Sequence, residues 1–117
     1  MRAPLALIPA LAALPIPAAA MPLDCRFTAA CIEAGLCTEI DRHARLAPDG
    51  PAAALLEMDG HTLAGSLAAQ GPLHLFDSQS EGLRLLLGIA ADGSARLMAM
   101  ETDPLRVATY SGSCEEA

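Results

Sequence analysis

The chain contains no tryptophan and no lysine, and its only aromatic residues are Phe27, Phe76 and Tyr110. Three rings make a poor stacking platform for bases or sugars, although one ring is enough to line a pocket. The seven basic residues are all arginines, scattered against 14 acidic residues for a formal net charge of −7. The absence of a basic cluster disfavours nucleic acid, because gripping a phosphate backbone takes several cations on one face. Anionic membrane surfaces are disfavoured for the same reason. No C-x-x-C redox motif occurs, and neither G-x-S-x-G nor S-x-x-K offers a serine nucleophile. The glycines form no phosphate loop, and no D-x-D-x-D-G run offers a calcium loop. These gaps leave no local signature of catalysis or of a cofactor, and 117 residues suffice for one domain at most.

What is present begins with an N-terminal segment unlike the rest. Arg2 supplies a positive start, residues 3–16 are uncharged and mostly apolar, and Ala18-Ala19-Ala20 offers an A-x-A cleavage site. This is the layout of a secretory signal peptide. An uncleaved membrane anchor is the competing reading, since no charge appears before Asp24. The prolines at positions 4, 9, 15, 17 and 22 suit a short exported segment better than a regular spanning helix. A lipid anchor on Cys25 is disfavoured because Pro22-Leu23-Asp24 lacks the small residues that lipid attachment prefers. The expectation is therefore a signal peptide at 1–20 and a single domain at 21–117, periplasmic or secreted and no longer membrane-associated after cleavage.

Four cysteines remain in that domain: Cys25, Cys31, Cys37 and Cys114. An even number in a small exported chain reads as two disulfides, and three connectivities are open. If both bridges form, Cys114 pairs with one of the other three. That bridge closes a loop of about 80–90 residues, worth roughly 4–5 kcal/mol in the chain-entropy model. Zinc sites favour cysteines two to four residues apart, whereas the spacing here is six and six, so the sulfurs read as staples and not as metal ligands.

Turn spacing carries the fold. Turn formers recur at Asp49-Gly50, Asp59-Gly60, Gly71-Pro72, Glu81-Gly82, Asp92-Gly93 and Asp103-Pro104, ten or eleven residues apart. Short strands punctuated at that interval indicate an antiparallel all-β domain, and Asp-Gly is a strong hairpin turn. The spacing predicts about seven strands, near 37–47, 52–58, 61–69, 73–78, 83–90, 94–101 and 105–112, in a meander that curls into a small barrel or sandwich. Alternation agrees: Leu83, Leu85, Leu87 and Ile89 share one face, while Ile40, Ala44 and Leu46 alternate with Glu39, Asp41, His43 and Arg45. Before the first strand, residues 28–35 read as a short helical turn, with Thr28 as N-cap and Gly35 as the stop. A composition rich in alanine and leucine with a single valine leans toward helix. An α+β fold is the alternative on that account.

Candidate chemistry rests on the three histidines, each near an acid: Asp41-x-His43, Asp59-x-His61 and His74-x-x-Asp77. Such pairs orient a metal ligand or a general base. The plainer interpretation is a solvated His43, a turn-flanking His61 and a half-buried His74. Met98 and Met100, on one strand face with Arg96, read as core or sheet edge and not as a copper site. No catalytic, metal or cofactor residue is assigned.

The two ends of the domain, Cys25-x-Phe27…Cys31-x-Glu33…Cys37 and Tyr110-Ser111-Gly112-Ser113-Cys114, resemble a group of small uncharacterised exported proteins of alphaproteobacteria. The resemblance implies a periplasmic disulfide-bonded domain and carries no activity, substrate or catalytic residue. The expected function is a non-catalytic periplasmic binding or interaction module whose acidic surface favours a cationic protein or small-molecule partner. The alternatives are a small hydrolase or metal-dependent enzyme built on the histidine–aspartate pairs, and a structural component of the envelope.

Overall fold

The structure, a computed structural model, describes residues 22–32 and 35–117. The proposed signal peptide lies outside the described residues. Eight strands follow in chain order: β1 (Leu23–Ile32), β2 (Leu36–Pro48), β3 (Ala53–Met58), β4 (His61–Gln70), β5 (Leu73–Ser80), β6 (Leu83–Ile89), β7 (Ser94–Thr102) and β8 (Leu105–Glu116). Each pairs antiparallel with its sequence neighbours, and β8 returns to pair with β1, which closes an up-and-down barrel. The protein is all-β, as the turn spacing predicts.

Two details differ from the sequence expectations. The described residues form eight strands and not seven, because residues 23–32 form the first one. The helical turn expected at 28–35 is absent over 28–32, which runs as the end of β1, while residues 33 and 34 lie outside the described set. A helix there would stand alone, and one or two isolated turns are unstable in water. As a strand, the same residues gain backbone hydrogen bonds on both sides, to β2 and to β8. The register shifts between Phe27 and Ala29 on both sides, so Phe27 and Ala30 are both buried although three positions apart.

The turns work as their residues dictate. Asp59 and Gly60 both hold positive φ, 54° and 79°, and link Met58 to His61 in a two-residue hairpin of the kind whose twist matches its strands. In the β6–β7 turn, the Asp92 carboxylate accepts hydrogen bonds from the Ser94 amide at 2.9 Å and the Ser94 hydroxyl at 2.7 Å.

The inward side chains fill the barrel. Phe27, Phe76, Leu87 and Leu97 are fully buried, with Leu46, Leu56, Leu85 and Ile89 packed around them. An eight-stranded barrel is just wide enough for its own side chains to fill, so the centre is core and not channel. Among the described residues Ser78 is the buried polar one, and its hydroxyl donates to the Ala64 carbonyl at 2.8 Å. The bridges join Cys25 to Cys114, across the β1–β8 seam, and Cys31 to Cys37, across the β1–β2 hairpin. These connections resolve the choice that the sequence left open. Intact disulfides belong to an oxidising compartment.

Candidate functional site

With the interior filled, the candidate sites lie at the barrel mouth and on its outer wall. The mouth is the end that carries the β1–β2, β3–β4, β5–β6 and β7–β8 turns. Arg42 sits on the inward face of β2, opposite Phe27. Its guanidinium donates to the Tyr110 hydroxyl at 3.1 Å and to the Asp59 carboxylate at 2.6 Å, and lies 5.4 Å from the centre of the Tyr110 ring. Tyr110 in turn tilts against Phe27, with 6.4 Å between ring centres. The cluster caps the core with an amphipathic side chain whose stem is sheltered and whose charge is neutralised. Sequence reasoning missed Arg42 as an inward residue. The signal was there, since Ile40, Arg42 and Ala44 share one parity along the strand.

The outer wall of β8–β1–β2–β3 carries an open groove of about 830 Å³. Outward positions on these strands place Asp24, Arg26, His43, Arg45, Glu57 and Glu115 along it. Arg26 donates to both oxygens of Asp41, at 2.9 and 3.3 Å, while Arg45 lies 3.9 Å from Asp24. The hydrogen bonds from Arg26 hold the Asp41 carboxyl below its ordinary value and raise the guanidinium in return. Both side chains are more than half exposed, so the pair contributes little to stability. Both arginines of the groove thus already face carboxylates, whereas among the described residues Glu115 forms no ion pair and Glu57 forms none either, although Arg45 stands opposite it across β2 and β3.

The three histidine–aspartate pairs fare differently from one another. His43 Nε2 lies 3.3 Å from Asp41 Oδ1, but the imidazole is 70% exposed and the carboxylate is committed to Arg26. His61 is exposed beside its turn, and Asp59 is held by Arg42. The His74–Asp77 pairing suggested by sequence is not formed. His74 pairs across β6 with Ile89 on the inward side, whereas Asp77 points outward and accepts from Arg84 at 3.0 and 3.3 Å. An i, i+3 spacing puts two residues on opposite faces of a strand. Among the described residues, no three His, Cys, Asp or Glu side chains gather as a metal ion would need. Met98 and Met100 face outward beside Leu86 and Arg84, around a shallow recess of about 210 Å³. They are wall residues and not core.

The most unusual backbone feature lies next to the mouth. β3 pairs with β2 only from Ala44 to Pro48, because it ends at Met58 opposite Ala44. Residues 36–43 of β2 are therefore paired to β1 on one side and, among the described residues, to nothing on the other. Outward from this edge stand Cys37, Glu39, Asp41 and His43, and on the mouth side Leu36, Thr38, Ile40 and Arg42. Leu36 is 76% exposed, and Ile32 opposite it is 52% exposed.

Comparison with protein-family models, with curated proteins and with solved structures finds no match for this chain.

Proposed function

We propose that this protein is a non-catalytic binding or interaction module, exported to the periplasm, which engages cationic partners through the outside of its barrel. One observation carries the proposal: the lumen is occupied by buried Phe27, Phe76 and the leucines around them, while the open volume lies on the β8–β1–β2–β3 wall, where Glu57 and Glu115 form no ion pair among the described residues. A barrel of this kind binds by its surface or its edges, because an internal ligand would have to displace core side chains. The acidic excess of the chain attracts positive partners and speeds their encounter. Export is supported by the signal-like residues 1–20, by the two disulfides and by the resemblance of both ends to small exported alphaproteobacterial proteins. Charges at the outward positions of β1 and β2 support a water-facing wall, since arginine on a lipid-facing strand costs about 2–4 kcal/mol at mid-membrane.

The test is capture from a periplasmic extract by the immobilised protein and by a variant carrying Glu57→Gln and Glu115→Gln. Partners should bind the parent at low salt, weaken at moderate salt, and bind the variant less. Partners that ignore both the salt and the two substitutions would refute an electrostatic mode.

A further inference from the structure

We propose that the open edge of β2 at residues 36–43 is a strand-addition site, which takes an extended partner segment with basic side chains on one face and apolar side chains on the other. The inference rests on the binding-module reading above and names the place and the partner chemistry.

The backbone makes the first half of the argument. An unpaired strand edge presents a row of amide and carbonyl groups, ready to template another strand. Barrel closure normally abolishes such edges, and here it does so everywhere around the seam from β8 to β1. The step between β2 and β3 is different, because β3 ends at Met58, level with Ala44, while β2 continues to Leu36. Cys31–Cys37 ties β2 to β1 beside that overhang and holds the edge extended. Preorganisation of this kind lowers the ordering cost of adding a partner strand.

The side chains choose the occupant. A residue added beside Glu39 on the outer face meets a carboxylate that has no cationic partner among the described residues, whereas Asp41 beside it is already held by Arg26. A basic residue fits beside Glu39. Beside Leu36, 76% exposed on the mouth face, an apolar residue gains cover that the described residues do not provide, while Ile40 already packs in part against the core. An added strand alternates its side chains between the same two faces, so the matching segment alternates basic and apolar residues. A second copy of this chain fits poorly. Antiparallel self-pairing centred on Glu39, Ile40 or Asp41 sets Glu39 against itself, Glu39 against Asp41, or Asp41 against itself, and like charges directly opposite are destabilising.

The probe is a blocked eight-residue peptide of alternating arginine and valine, with alternating glutamate and valine as control. It is titrated into the full chain and into residues 21–117, which include every strand of the barrel. Amide exchange at 36–43 should slow at least tenfold with the basic peptide and stay unchanged with the acidic one. Glu39→Arg should weaken binding at least tenfold while leaving the exchange of β5–β7 as it was. N-methylation on one alternate set of peptide residues should abolish binding, and on the other set leave it within about twofold, because only one set faces the edge.

Equal binding by both methylated peptides, or slowed exchange confined to β3 and β8, would overturn strand addition while leaving the binding-module reading in place. Protection of 36–43 without peptide would also overturn it, assigning the edge to a second copy if concentration-dependent or to residues 1–20 if confined to the full chain. Binding of neither peptide, together with salt-insensitive capture from the extract, would remove both readings.

Discussion

At the scale of single residues, the tightest constraint is glycine. Gly112 on β8 faces Phe27 of β1, and a β-carbon there would run into the Arg26 carbonyl and the Phe27 backbone. Gly65 is similar, with Phe76 and the Asp77 carbonyl 2.5–2.8 Å from such a carbon. Gly112→Ala is expected to lower stability by about 1–3 kcal/mol, because backbone on both sides leaves nothing flexible to yield. Urea unfolding of this variant beside the parent measures it, and an unchanged midpoint would show that the β1–β8 approach is looser than described. Phe27→Ala is expected to cost about 3–5 kcal/mol through the cavity it leaves. Acid behaviour also belongs to this scale. Asp41 and Asp92 are both held below the ordinary 3.8, the first chiefly by Arg26 and the second chiefly by the Ser94 hydroxyl. A depressed native value means that the stabilisation is present above the unfolded-state pKa and is lost as pH falls through the native one. The contribution of these pairs should therefore persist down to about pH 4 and fade below it. Carboxyl titration by NMR should place Asp41 below 3.8, and Arg26→Ala should return it toward that value.

At the scale of elements, the two bridges do different amounts of stabilising. Cys25–Cys114 spans 89 positions of sequence and fastens the first strand to the last, whereas Cys31–Cys37 spans six within one hairpin. The chain-entropy model gives about 4–5 kcal/mol for the long closure and about 2 for the short one. Replacing Cys25 and Cys114 together by serine should thus lower the denaturation midpoint about twice as far as replacing Cys31 and Cys37. Equal losses would show that strain or denatured-state structure outweighs loop length. Most of these elements were legible beforehand. Asp59-Gly60 and Asp92-Gly93 can hardly be anything but turns between apolar runs, and the seven strands they separate fall close to their expected bounds. β1 was not legible, because Ala29 and Ala30 lean toward helix and its strand conformation depends on pairing on both sides, one partner being β8 at the far end of the sequence.

At the scale of the whole molecule, closure organises everything else. Eight antiparallel strands close the sheet, and the longest edge left unpaired among the described residues is the overhang of β2, with shorter ones along β4. Polar side chains then collect on the β8–β1–β2–β3 wall and at the mouth. On the proposed binding-module reading, partners come from outside, since the volume within is spent on core packing. The expectation for the molecule in its compartment is a chain beginning at Met21 with both bridges formed. Intact mass spectrometry of the protein recovered from the periplasm, before and after reduction, checks both together. A full-length mass would refute cleavage after Ala20.

The alternation of side chains and the rhythm of the turns are local properties, written every two and every ten or eleven residues. They sufficed for the all-β class, for most strand bounds and for the inward residues of β6. The Cys25–Cys114 bridge, the seam between β1 and β8 and the unpaired edge of β2 are all properties of register. Register joins residues distant in sequence through the shear of a closed sheet, and no local pattern carries that information.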